Sequence, residues 1–337
     1  MNIAITGGAG FLGLRLARSL LAANSLSINA GAATRIERIY LIDRAAPPVD
    51  VASDPRVQVV LGDLNALLAG TAPGLHAALA EASVVYHLSA AVSGECEADF
   101  DLGMRSNLAA THGLLEACRL LGTQPMFVFA SSLAVFGQTA LLPMASTVTD
   151  LTLPTPQSSY GIQKFIGEQL VADYARKGFV RGRNTRLMTV AVRPGKPNGA
   201  ASGFFSGMIR EPLAGVASVV PVAASTAVAL SSPSRTIEGL IRVAQAGDGD
   251  WGPLTALNLP AMTSTVGDMA QALKRHGGDA AHALLSWQID PVIERIVSTW
   301  PTSVASPRAN ALGLHANSSF DEVVQDYMRE NPSMATH

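Results

Sequence analysis

A glycine-rich turn caught between a strand and a helix constrains this chain more than any other stretch. Thr6-Gly7-Gly8-Ala9-Gly10-Phe11-Leu12-Gly13 follows the apolar run Ile3-Ala4-Ile5 and leads into Leu14-Arg15-Leu16-Ala17-Arg18-Ser19-Leu20-Leu21, which has helical periodicity. In that setting Gly7 permits the tight turn, Gly10 lets the backbone approach a pyrophosphate, and Gly13 lets helix and strand pack closely. Phe11 and Leu12 open the helix, whose first N–H groups suit the same anion. By itself the spacing also fits a plain tight turn.

A second signal stands far downstream. Tyr160 and Lys164, in Tyr160-Gly161-Ile162-Gln163-Lys164, lie four apart, so on a helix they share a face and the ammonium can stand near the phenol. A phenol near its reference pKa of about 10 is a poor base at neutral pH, and a nearby cation favours the phenolate. General base chemistry rewards such tuning. A surface tyrosine and a solvated lysine would give the same spacing. Met126-Phe127-Val128-Phe129-Ala130-Ser131-Ser132-Leu133-Ala134-Val135-Phe136-Gly137 reads as a buried strand ending in two hydroxyls. A serine pair after a strand is otherwise most often a turn or a helix cap. Together with the glycine turn, these residues point to nicotinamide redox chemistry.

The motifs resemble the extended branch of the short-chain dehydrogenase/reductase superfamily, the NAD-dependent epimerase/dehydratase family. The resemblance implies that Ser132 holds the substrate oxygen, with Ser131 the runner-up and tied to backbone. It implies Tyr160 as the base and Lys164 as the cation that tunes it. Asn107, in Arg105-Ser106-Asn107-Leu108-Ala109-Ala110-Thr111, matches the family's helix asparagine, which supports a proton-relay water and the lysine. A polar residue on a helix face is the other reading. Asp63 and Leu64 follow the strand Val57-Gln58-Val59-Val60, and in this family such an aspartate contacts the adenine. Leu88-Ser89-Ala90-Ala91 ends the next strand, with small residues where the backbone must lie under the cofactor, and the backbone near Val190 is the candidate for the carboxamide. His87 reads as a packed strand histidine.

Asp43 decides the form of the cofactor. It closes the apolar strand Arg38-Ile39-Tyr40-Leu41-Ile42, where a carboxylate accepts bonds from the adenosine ribose and repels a 2′-phosphate, favouring NAD over NADP. It stands 30 positions after Gly13, about ten more than the usual ~20. The small polar stretch from Asn24 to Thr34 takes up the excess as a loop or helix extension. Arg44 could pair with a phosphate, but the carboxylate should dominate.

Strand and helix signals alternate through residue 192, the pattern of an α/β doubly wound parallel (Rossmann) sheet. Strands are expected at 2–6, 38–42, 57–60, 83–87, 125–130 and 185–191, with two long helices at about 97–121 and 157–177. Residues 1–192 are read as the NAD-binding region. Residues 193–337 are read as an intermittently structured substrate cap, with 193–235 largely aperiodic. A short strand is expected at 255–259, a helix from Thr265 toward Arg275, and a last helix near 320–330.

The substrate is read from that cap. Ala191-Val192-Arg193-Pro194-Gly195-Lys196 combines two cations with turn residues, and a guanidinium grips a carboxylate bidentately. Nucleotide-sugar epimerases of this branch usually carry N-V-Y-G-P after the strand, where Thr189-Val190-Ala191-Val192-Arg193 stands here. The run onward through Arg210 to Gly215, with Val92-Ser93-Gly94-Glu95 and Ser232-Pro233-Ser234-Arg235, is similar to the D-erythronate dehydrogenases, a sugar-acid-oxidising family. That likeness implies NAD-dependent oxidation of a secondary hydroxyl, D-erythronate giving 2-dehydro-D-erythronate, with Ser93, Ser132, Tyr160, Thr189, Arg193 and Lys196 at the substrate. Surface or dimer salt bridging is the other reading of Arg193, Lys196 and Arg210. A nucleotide-sugar epimerase or dehydratase with tightly held NAD, a uronate dehydrogenase, and a regulator that binds cofactor without turnover are the alternatives.

Of the 337 residues, 15% are charged and the formal net charge is −2, no electrostatic footprint for nucleic acid. Cys96 and Cys118 have neither disulfide-framework nor metal spacing, and no metal is expected at the acidic run Glu95–Asp99. No apolar run reaches the ~20 residues a membrane span needs. A strand begins almost at the first residue, leaving no room for a signal peptide. A cytoplasmic homodimer, paired through the two long helices, is the expectation by resemblance.

Overall fold

The computed structural model describes residues 1–70, 73–195, 200–252 and 256–332. The chain forms two compact units, one of Met1–Val135, Ser158–Arg186 and Ile237–Leu257, the other of Phe136–Gln157, Leu187–Thr236 and Asn258–His337.

In the first unit the apolar runs pair into a seven-stranded sheet. In chain order its strands are β1 (Asn2–Thr6), β2 (Arg38–Asp43), β3 (Val57–Leu61), β4 (Ala82–His87), β5 (Met126–Ser132), β6 (Arg181–Leu187) and β7 (Ala256–Asn258). They lie side by side as β7-β6-β5-β4-β1-β2-β3. Each pairing from β3 through β5 is parallel, and β1 runs in unbroken register with β2 from Asn2↔Arg38 to Thr6↔Ile42. Parallel neighbours need crossover connections, and helices over both faces explain why β1, β2, β4 and β5 are nearly continuous apolar runs. Ala4, Tyr40, Ile42, Val85, Phe127 and Phe129 share one core with Leu79, Leu114, Leu115 and Val171. Ile3, Ile5, Ile39 and Leu41 alternate with them and are equally buried. Strand order reverses between β1 and β4, and ligands of such sheets bind outside the carboxyl ends of the strands at that switch point. The glycine turn leaves β1 there.

The helices that matter for the site are α1 (Phe11–Ala23), α2 (Leu64–Ala69), α3 (Ser93–Ala98), α4 (Ala110–Leu121) and α5 (Ser159–Arg176). The second unit contains α6 (Gly203–Leu213), α7 (Val266–His282), α8 (Phe320–Glu330) and a three-stranded sheet of Met262–Thr265, Ala227–Ser231 and Thr189–Val190. Among the described residues no helix is long and apolar enough to cross a membrane.

Several elements differ from their sequence-based expectation. The strand expected at 185–191 is two strands in two sheets, β6 and Thr189–Val190. β6 begins at Arg181 because Arg183 and Arg186 are buried as ion pairs with Asp248 and Glu168, so charged residues occupy core positions. The helix expected at 97–121 is a series: α3, the short turn Phe100–Gly103, a π-helical turn Met104–Ala109, then α4. Residues 24–35 form a small antiparallel ladder, Ser25–Leu26 on Thr34–Arg35, rather than a loop or helix extension. The stretch expected to be aperiodic holds α6, in which Phe205, Ser206, Gly207, Met208, Ile209 and Arg210 are all buried. A helix covered on all sides has no polar face to betray it. α7 runs on to His282 and kinks at Gly278, where φ is +79°.

Candidate active site

β1 ends at Thr6 and the chain turns at once. Gly7 has φ +69°, and a Cβ at Gly13 would lie 2.1 Å from the Gly7 carbonyl oxygen, so only glycines allow α1 to start this close to the turn. Gly10 precedes α1 with no side-chain cap, and no acidic residue lies in the first turn, which Phe11 and Leu12 begin. Its N–H groups and the positive end of the helix dipole therefore suit an external anion. Asp43, at the end of β2, accepts from the Ala9 N–H at 3.0 Å and the Ala45 N–H at 3.1 Å. The turn thus pins the carboxylate beside itself, a link that spacing does not reveal. Together the turn and the acid fit a dinucleotide, the pyrophosphate over α1 and the ribose hydroxyls at Asp43. Asp63 caps α2, one carboxylate oxygen accepting from Asn65 and Ala66 N–H at 3.0 and 3.2 Å. Leu64 opens that helix and is buried.

The hydroxyl end of β5 is built against α5. Gly167 of α5 packs so tightly that a Cβ there would come 2.7 Å from the Phe129 ring. Lys164 is 3% exposed and donates to the Ala130 carbonyl at 2.8 Å, two residues before Ser132. Its Nζ stands 4.9 Å from the Phe129 ring centre and 5.7 Å from that of Tyr160. Burial pulls the ammonium down to about 8, against a rise from Cys96 and Glu168. The Ser132 hydroxyl accepts from the Ala134 N–H at 3.1 Å. Ser131 differs from the expectation of a backbone partner, since it donates to the buried Glu168 carboxylate at 2.5 Å. Arg186 meets the same carboxylate through two bonds of 2.8 Å. Tyr160, Lys164 and Glu168 stand at i, i+4 and i+8 of one helix, a periodicity that could have marked Glu168 from sequence.

Asn107 lies in the π-helical turn and is 2% exposed. Its amide oxygen accepts from the Ala91 N–H at 2.8 Å, and its nitrogen faces the Ala91 carbonyl at 3.2 Å and Gln163 Oε1 at 2.8 Å. Leu88, Ala90 and Ala91 leave the end of β4, with the Leu88 N–H on the Thr6 carbonyl at 3.2 Å. His87 is packed below them. Thr111 donates its hydroxyl proton to the Asn107 carbonyl at 2.6 Å, so His87 Nε2, 2.9 Å from that hydroxyl, is the donor to it. Nδ1 then accepts from Thr6 at 2.7 Å. Burial, and next the Lys164 charge, hold the imidazole down to about 3, so it stays neutral. Ser93 is the first residue of α3.

In the second unit, Val190 and Thr189 pair in parallel with Ser231 and Leu230. Thr189 is buried and its hydroxyl has no hydrogen-bond partner among the described residues. Arg193 donates to the Val190 carbonyl at 3.1 Å and to Ser202 at 2.7 Å. Arg210, 6% exposed, donates to the Arg193 carbonyl at 2.7 Å and pairs with Glu211. Arg235 pairs with Glu322 at 3.7 Å. Lys196 lies outside the described residues.

Residues 3–227 match the model of the NAD dependent epimerase/dehydratase family. The chain belongs to this family. Two relatives are D-erythronate dehydrogenases. That of Cupriavidus necator is 47% identical over 330 residues, which are 98% of each chain. That of Haemophilus influenzae is 38% identical over 329 residues, 97% of this chain and 99% of its own. A solved structure described as a nucleoside-diphosphate-sugar epimerase from Agrobacterium tumefaciens superposes with a TM-score of 0.89 at 38% identity, covering 99% of this chain and 95% of that one. A family that depends on NAD needs a dinucleotide cradle, and the first unit supplies residues suited to one.

Proposed function

We propose that this chain oxidises a secondary hydroxyl of a small sugar acid with NAD, converting D-erythronate to 2-dehydro-D-erythronate. The observation that carries the reading is the 47% identity to a D-erythronate dehydrogenase across 98% of both chains. Gly7, Gly10 and Gly13 would admit the pyrophosphate of NAD at the turn, and Asp43 would bond its ribose. Asp63 and Leu64 would hold the adenine, Leu88, Ala90 and Ala91 would support the cofactor, and the Val190 backbone would take the carboxamide. Bound NAD supplies the acceptor for the hydride that leaves C2. Ser132 holds the reacting oxygen and Tyr160 takes its proton, leaving a carbonyl at C2. Lys164 favours the ionised phenol and bonds the nicotinamide ribose, and Asn107 supports proton return to solvent.

Arg193 and Lys196 are assigned to the substrate carboxylate, with Ser93 and Thr189 at its hydroxyls. Bonds to Val190 and Ser202 hold the Arg193 guanidinium in a set position. Arg193→Met should lower kcat/KM for the acid by roughly 10- to 150-fold while NAD affinity persists, the worth of a charge-assisted hydrogen bond. The matching neutral sugar alcohol should be a poor substrate for the wild type. If Arg193→Met and Lys196→Met both leave acid turnover intact, or the neutral alcohol reacts equally well, the carboxylate lies elsewhere.

The Agrobacterium structure's description favours a second reading, nucleotide-sugar epimerisation, which would yield no net NADH. The enzyme is proposed to work as a cytoplasmic homodimer. Ile162 and Ile166, one turn apart on α5 and 46% and 37% exposed, support a second copy packing there. Sedimentation showing only monomer at micromolar concentration would rule that out.

A further inference from the structure

The amides around Asn107 have a polarity that the geometry settles. The Ala91 N–H can only donate, so the Asn107 oxygen must face it at 2.8 Å. The Asn107 nitrogen therefore faces the Ala91 carbonyl and Cys96 sulfur, each at 3.2 Å, and Gln163 Oε1 at 2.8 Å. Gln163 must present its oxygen, because that neighbour is a donor. Its nitrogen then points the other way, buried and without a hydrogen-bond partner among the described residues. Burying an amide nitrogen unpaired is costly, so the residue is justified by its acceptor end. The space it fills is made by Gly103, the residue before the π-helical turn. A Cβ there would lie 2.5 Å from Gln163 Nε2 and 2.9 Å from Oε1.

We infer that Gln163 is a positioning residue. It locks Asn107, the π-helical turn and the Ala91 backbone to the helix that carries Tyr160 and Lys164. Gln163 stands between those two residues in sequence, and its side chain reaches back to the segment that leaves β4. A shift of the turn would move the Asn107 carbonyl and the loop under the cofactor together, while the tyrosine stayed with α5. The inference rests on the proposed role of Asn107 in the proton relay.

Steady-state kinetics of the full-length enzyme test it, with NAD affinity measured separately by titration. Gln163→Met, which removes the acceptor, should lower kcat by roughly 10- to 100-fold, as small misplacements at reacting centres do, with the NAD Kd changed only a few-fold. Gln163→Glu keeps an acceptor oxygen toward Asn107 and should recover most of that rate. A merely structural role would make the buried charge of Gln163→Glu at least as harmful as Gln163→Met, and that result overturns the proposal. Gly103→Ala should slow the wild type by pushing the amide aside, yet add no loss to Gln163→Ala, where the space is vacated. Additive losses would overturn the coupling. Asn107→Ala separates the two readings. If it turns over like wild type, the role of Asn107 is wrong; if it is slow while Gln163→Met is not, the inference about Gln163 alone fails.

Discussion

Lys164 is a buried cation, and its neighbours show what keeps it charged. The ammonium donates to the Ala130 carbonyl and lies over the Phe129 ring, while the Glu168 charge one turn away offsets part of the desolvation. Because burial lowers its pKa to about 8, the charged form is present below that pH and is lost as pH rises through it. The affinity of the free enzyme for NAD should therefore weaken as pH passes about 8, and Lys164→Met should bind weakly at every pH. A pH-independent Kd for the wild type from pH 6 to pH 9 would remove Lys164 from the cofactor site. Tyr160→Phe deletes one oxygen, so NAD should still bind while kcat drops by roughly 10² to 10⁴, the usual worth of acid–base catalysis. Near wild-type turnover would exclude Tyr160 as the base. Asp43 bears on the cofactor form: NAD should exceed NADP by at least about tenfold in kcat/KM, and Asp43→Ala should narrow the gap. Equal use of both by the wild type contradicts that.

The meeting of β5 and α5 depends on a buried ion pair. Glu168 is fully buried and Arg186 nearly so, joined by two bonds with Ser131 as a third partner. Glu168→Gln leaves the guanidinium without its charge partner and should cost about 3–5 kcal/mol of stability in denaturant unfolding. Glu168→Met/Arg186→Met should recover part of it, because two apolar residues bury more easily than one orphaned ion. A loss below about 1 kcal/mol for Glu168→Gln would mean that water reaches the pair. The same pair shows where sequence reading stops. The glycine turn and the Tyr160–Lys164 spacing are local, set by turn chemistry and helix period, and so were legible. β6 was not read from its start, since arginines ordinarily mark surface and these two are neutralised by Glu168 and Asp248, distant in sequence. The π-helical turn was hidden too. Its sequence is helical, and the extra residue is held by Asn107 reaching Ala91 and Gln163.

At the scale of the molecule, the first unit takes its sheet from three separate stretches, residues 237–257 returning to supply β7. The dinucleotide cradle, Ser132, Tyr160, Lys164 and Asn107 all belong to that unit, whereas Thr189, Val190, Arg193 and Arg210 belong to the other. The residues proposed for proton transfer and those proposed for the carboxylate thus come from different stretches of the chain. The glycine turn is short and self-contained and so was legible as a turn, whereas the bonds of Arg210 and Arg235 depend on partners away from them in sequence. Arg210 braces the Arg193 backbone, and Arg235 pairs with Glu322. The most direct measurement follows NADH absorbance when purified enzyme, NAD and D-erythronate are mixed, with a nucleotide sugar in a parallel reaction. Sustained NADH formation from D-erythronate, absent with the nucleotide sugar and reduced at least about a hundredfold in Tyr160→Phe, is the expected result. Epimerised nucleotide sugar without net NADH, and D-erythronate left unchanged, would contradict it.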